Sequence, residues 1–175
     1  MRKHIYYSMI RLKQLLSEIS LGGVQPYTTQ FTWRLEGDWR EATIDADGVK
    51  INLSMVPEGY NEWGFAIITP TADGRGVTVA HSRSAAVGQI NYLRLMSTVA
   101  EALLDFVAQW QPAAIDVTGS DTASTQKDLQ KTRIYRGLLS ANAARLATAG
   151  YTVLDRSGKL YIVRRSTADS TGIAD

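Results

Sequence analysis

Cysteine is absent from this 175-residue chain, and histidine occurs only twice, as His4 and His81. No disulfide framework, thiolate nucleophile, or cysteine- or histidine-rich metal site is therefore available. An excess of one charge is missing as well. The 19 basic and 17 acidic residues leave a formal net charge of +2, too little to argue for nucleic acid from overall charge. Any electrostatic site must be local. No apolar run approaches the roughly 20 residues that cross a bilayer, and the N-terminus lacks the unbroken apolar stretch of a signal peptide. The expectation is a soluble protein, working in a reducing cytoplasm or in a particle assembled there.

What is present is enough apolar content, 45%, for one substantial core. Residues 1–20 read as an extension and an amphipathic helix, with Ile10, Leu12, Leu15, Leu16 and Ile19 on one face. Leu21-Gly22-Gly23 and Pro26 end it. That face exposes too much apolar surface to stay free, and the short connection predicts that the helix folds back onto its own sheet. The other reading is a helix that enters a partner's groove. From Phe31 the period changes to two, through Phe31/Trp33/Leu35, Ala42/Ile44, Val49/Ile51/Leu53, Phe65/Ile67 and Val77/Val79. Turns are expected at 36–38, at Asp45-Ala46-Asp47-Gly48, at Pro57-Glu58-Gly59 and at Asp73-Gly74. Asp45 and Asp47 suggest calcium, but the loop lacks the other oxygen ligands and the closing glutamate.

Between Gly88 and Trp110 the apolar positions recur every three or four residues, which predicts a core helix stopped by Pro112. Ala114 to Thr118 is a β-branched run apolar enough to lie inside the sheet. Residues 119–125 form a capping loop. A second helix then buries Leu129, Tyr135, Leu138, Leu139 and Leu146 and ends at Gly150. Residues Tyr151 to Val163 form a hairpin around 156–159, and residues 166–175 lack periodic apolar content, as a mobile tail would. The fold class is α/β (α+β), with one domain over 27–165: an antiparallel meander followed by helix, strand, helix and hairpin.

That order, over roughly residues 31–165, resembles the N-acetyltransferase (GNAT) fold. In that family the loop before the first core helix reads Arg/Gln-x-x-Gly-x-Gly/Ala, so that bare amides close on the pyrophosphate of coenzyme A at a helix N-terminus. Arg83-Ser84-Ala85-Ala86-Val87-Gly88 keeps Arg83 and Gly88 but has Ala86 where the central glycine belongs. The resemblance implies Arg83, Gly88, Gln89, Asn91 and Arg94 as the cofactor-binding residues. It also implies a tyrosine four positions before the Gly-aromatic pair, as the acid for the departing thiolate, and that position is Leu146 here. Tyr135 is about three helical turns away, and no catalytic residue is assigned. Glu41, Glu58 and Glu62 are available as bases, with no spacing that selects one. In a working acetyltransferase the strand ending near Val79 and the strand at 114–118 are expected to splay and admit the pantetheine arm; side chains such as Arg83, Gln89 or Tyr92 in that wedge would oppose catalysis.

A closer resemblance is to a loosely defined group of uncharacterised bacteriophage proteins of this order. They carry Gly-x-x-Asn-x-x-Arg leading into Thr-Val, matched by Gly88, Asn91, Arg94, Thr98 and Val99. They also carry Arg-x-Tyr-x-x-Leu and Gly-Tyr, matched by Arg133, Tyr135, Leu138, Gly150 and Tyr151. The resemblance implies a phage-encoded accessory protein, in the virion or the host cytoplasm, that acts by binding a virion or host protein and needs no cofactor. Two alternatives stand beside it. One is an active N-acetyltransferase using acetyl-CoA. The other is a nucleic-acid-binding module whose anionic-partner contacts are Lys127, Lys131, Arg133 and Arg136, with Tyr135 and Tyr151 as stacking rings. Each candidate also has a plainer reading. Asn91 and Arg94 serve as hydrogen-bonding groups across to the sheet, Tyr135 as core, and the basic run as a solvated helix face. Trp33, Trp39, Tyr60 and Trp63 either cover a sheet face or form a contact surface.

Overall fold

Alternating polarity along the first half of the chain builds strands, and three-to-four spacing in the second builds helices. The computed structural model describes residues 24–70, 77–79, 91–117 and 126–166, with side chains described outside 69–70, 77–79 and 126–131. Its elements run β1 (Arg34–Glu36), β2 (Trp39–Ala46), β3 (Val49–Gly59), β4 (Glu62–Pro70), β5 (Val77–Val79), α1 (Tyr92–Trp110), β6 (Ala114–Asp116), α2 (Gln126–Ala141), α3 (Ala143–Thr148), β7 (Tyr151–Arg156) and β8 (Lys159–Arg164). The strands form one mostly antiparallel sheet in the order β1-β2-β3-β4-β6-β8-β7, with β5 also paired to β4. The parallel pairing is between β4 and β6, where Glu62, Trp63 and Gly64 face Ala114, Ile115 and Asp116. The fold is mixed α+β, as the period change implies.

Side chains alternate between the two faces of the sheet. Leu53, Met55, Ile67, Ile115, Leu160 and Ile162 point to the helical side and join Val99, Leu103, Phe106, Leu138 and Leu146 in a single core. The opposite face carries Glu41, Asn52, Glu62, Tyr161 and Val163, and none of the described helices covers it. No helix among the described residues is long and apolar enough to cross a membrane.

The Asp47-Gly48 hairpin forms as expected: Asp47 and Gly48 take φ of 54° and 85°, and the Asp45 carboxylate accepts the Gly48 N–H at 2.7 Å. The second hairpin turns in the same way at Ser157 and Gly158. Pro57-Glu58-Gly59 is not a turn. These residues extend β3, which slips register between Pro57 and Gly59, and the chain reverses at Tyr60-Asn61, where Asn61 supplies the positive φ of 56°. A bulge thus accommodates the proline and glycine that mark a turn in sequence.

Helix α1 starts at Tyr92 because Asn91 caps it, its side chain accepting from Leu93 N and Arg94 N. It ends where Gln111 turns left-handed, φ 46° and ψ 54°, immediately before Pro112. The helix expected after it is two, because Asn142 leaves helical geometry at φ −103° and ψ 8° and turns its side-chain amide back to the Leu138 carbonyl at 2.9 Å. Tyr135, Leu138, Leu139 and Leu146 are all buried, as their spacing predicts. The neighbour of β6 is β4, not the strand ending at Val79: among the described residues β5 pairs with Ile68–Pro70 of β4. The N-terminal helix of residues 10–19, the Asp73-Gly74 turn, the loop at 119–125, the Leu129 side chain and the tail beyond Ser166 lie outside the described residues.

Candidate functional site

The head of α1 is the first place to look for an anion, since the opening N–H groups of a helix have no intrahelical acceptor. Here protein atoms take most of them. Asn91 N donates to the Tyr27 hydroxyl at 3.0 Å, while Leu93 N and Arg94 N donate to Asn91 Oδ1 at 3.1 and 3.2 Å. Of the first four, only Tyr92 N has no acceptor among the described residues. Tyr27 in turn donates to Asp47 Oδ2 at 2.5 Å, and its backbone N–H reaches Thr98 Oγ1 at 2.8 Å. Arg94 lies over the Tyr27 ring at 4.1 Å, donates to the Gln25 carbonyl at 3.2 Å and stands 3.7 Å from Asp47. Asn91 and Arg94 therefore join α1 to residues 25–27 and to the β2–β3 hairpin. Arg83, Gly88 and Gln89 lie outside the described residues.

The second feature is the edge of β4 that faces away from β3. It pairs with β6 over Glu62 to Gly64 and with β5 over Ile68 to Pro70. Between them Phe65, Ala66 and Ile67 have no ladder partner on that edge among the described residues. Phe65 meets the Tyr135 ring edge-on, with centroids 6.5 Å apart. Burial pushes the Tyr135 hydroxyl well above the usual tyrosine range, and the nearby Tyr92 hydroxyl adds to this. Tyr92 itself is pushed up to about 12 by desolvation. Both hydroxyls therefore stay protonated at neutral pH. Leu146, at the position the resemblance gives to a tyrosine, is 1% exposed and belongs to the core.

The remaining candidates are distributed. Arg136 is committed to Asp155, with Nη2 at 2.6 Å and Nε at 3.0 Å from the same oxygen. Arg133 is exposed on α2; Lys127 and Lys131 lie on the same helix, with side chains outside the described residues. Asp45 holds Lys50 and Gly48, which lower its pKa, and Asp47 accepts from Tyr27. No group of acidic or histidine residues able to hold a metal occurs among the described residues. Glu41 accepts from Ser54 at 2.9 Å and Asn52 at 3.3 Å. Trp33 and Trp63 enter an aromatic cluster around Phe106, whereas Trp39 and Tyr60 are exposed.

Two further features escape a sequence reading. Tyr27 sits in an irregular segment with no motif around it, yet it organises the head of α1. The other is a cleft of about 550 Å³ lined by Glu62, Tyr161, Val163, Arg156, Arg164 and Arg165 among others. Its residues come from strands and a terminus far apart in the chain, so no local pattern announces it. In comparisons with known proteins, no family model matches the chain, and no curated protein or solved structure is significantly similar to it.

Proposed function

We propose that this chain is a bacteriophage-encoded accessory protein with a GNAT-like fold that acts by binding a virion or host protein and has a degenerate acyl-CoA site. The strand order supports the fold reading: a meander, a helix, a strand parallel to the last long meander strand, a helical connection, and a hairpin whose second strand lies beside the parallel one. The observation that carries the functional reading is the head of α1. A pyrophosphate needs several unpaired N–H groups at a helix start. Three of the four here are already bonded to Tyr27 and Asn91. The sequence has Ala86 where the resembled family has its central glycine, and Leu146 where that family has the thiolate's acid.

The unpaired stretch of β4 favours the second reading, an active N-acetyltransferase. Phe65 to Ile67 offer backbone groups to an extended amide chain such as pantetheine, and the protonated Tyr135 hydroxyl is a proton donor beside them. Calorimetric titration of the full chain with acetyl-CoA separates the two readings. The binding reading expects no saturable heat at micromolar cofactor. Micromolar binding that Gly88→Trp abolishes, with thiol release from acetyl-CoA slowed by Tyr135→Phe, would replace it with the acetyltransferase.

A further inference from the structure

We propose that the sheet face turned away from the helices binds a single strand of nucleic acid, with Arg156 and Arg165 on its phosphates and Tyr161 under a base. Among the described residues neither of these arginines has an ion-pair partner, although Arg136, Arg145 and Arg94 all do. Both are exposed and line the same 550 Å³ cleft. Arg156 pairs with Lys159 at the start of β8, and Arg165 lies six residues further along, just past the strand, about 20 Å at the rise of a strand. The positive charge thus brackets an extended ligand.

The floor between them is half-buried and largely apolar. Tyr161 and Val163 alternate with the core residues Leu160 and Ile162, so they project to the uncovered face. A sheet face with a half-buried aromatic ring between cations suits bases that stack while their phosphates meet arginine. Glu62 is the one carboxylate lining the cleft, and it is placed to accept from an exocyclic amino group of a base. An acidic peptide fits less well. The floor strands β6 and β8 each have both edges paired, β6 to β4 and β8, and β8 to β6 and β7, so a peptide backbone finds no edge to join. The basic helix α2 is a poorer track, because Arg136 is held by Asp155.

The test is fluorescence anisotropy of the full chain with labelled single-stranded oligonucleotides of about 12 nucleotides, within the range one such module covers. Deoxyuridine and uridine oligomers run side by side, and a preference for uridine reports contact to the 2′-hydroxyl. Arg156→Glu and Arg165→Glu are each expected to weaken binding about tenfold and to lower the salt slope by about 0.7. Tyr161→Ala is expected to weaken it at least about tenfold through lost stacking. Circular dichroism melts of each variant separate lost binding from lost folding. The proposal fails if neither oligomer binds, or if folded Arg156→Glu and Arg165→Glu bind as the parent does. It also fails if Arg133→Glu alone abolishes binding, which moves the strand to α2, or if polyglutamate competes as well as the oligonucleotide, which makes the partner an acidic polypeptide.

Discussion

Arg94 shows how one side chain is decided by partners that are distant in sequence. From the chain alone it is a cation in the first turn of a helix, as suited to a phosphate as to a carbonyl. Its partners, Gln25 and Tyr27, lie almost 70 positions upstream, in a segment with no periodic signal. Its guanidinium stacks on the Tyr27 ring and donates to the Gln25 carbonyl, while the 3.7 Å approach to Asp47 is half exposed and contributes little. A cation–π contact and one charged hydrogen bond at a partly exposed site are together worth about 1–3 kcal/mol. Arg94→Ala should lose that much in urea unfolding, and Arg94→Lys should recover only part, since an ammonium cannot stack and donate from one plane. An unchanged midpoint for Arg94→Ala would mean that the residue is free for a ligand.

At the scale of elements, the aromatic residues divide sharply. Phe106 is fully buried in α1 and touches Trp33, Trp63 and Trp110, with centroids at 5.1, 5.4 and 4.9 Å. Trp33 also donates to Asp105 at 2.8 Å, and Arg40 stacks on Trp110 at 5.0 Å. This cluster fixes the C-terminal half of α1 to β4 and to the segment before β1. Phe106→Ala should therefore cost about 3–5 kcal/mol in denaturant unfolding, whereas Trp39→Ala, at a 42% exposed ring, should stay within about 0.5 kcal/mol. Equal losses would refute the division. The sequence signals for α1, the two primed hairpins and the buried stripe of α2 were readable because each is local: a period, a Gly after Asp, a run of leucines. What was not readable depended on distant packing. Pro57 and Gly59 mark a turn by composition, but pairing with β4 draws them into a bulged strand. Four aromatic residues of one region cannot be sorted into core and surface without knowing that α1 covers one face. The same holds for the cleft, whose arginines are ordinary strand-end residues until β4, β6 and β8 come together.

At the scale of the molecule, the sheet consists of two antiparallel parts, β1 to β5 and β8 with β7, joined through β6 by a parallel ladder of three residue pairs. So short a ladder holds the parts only with help from side chains that cross between elements, and several of these are tyrosines. Tyr27 joins the head of α1 to the β2–β3 hairpin, Tyr135 packs α2 on β4, and the Tyr151 hydroxyl donates to the Pro112 carbonyl at 2.9 Å. Desolvation is the leading cause that raises the pKa of Tyr27, Tyr92, Tyr135 and Tyr151 above the ordinary 10.0, and Tyr92 reaches about 12. A folded pKa above the unfolded one favours the protonated form in the native state. The stabilisation is complete below pH 10, and it is lost as pH rises from there through the folded values, because the unfolded chain ionises first. For the buried Tyr135 the loss approaches about 1.4 kcal/mol per pH unit. Urea unfolding should therefore be insensitive to these groups near neutrality and should weaken steeply above about pH 10, with the slope reduced in Tyr135→Phe. A stability that is flat across that window, or a Tyr135→Phe variant with the parental slope, would mean that these hydroxyls are not withdrawn from water where the elements meet.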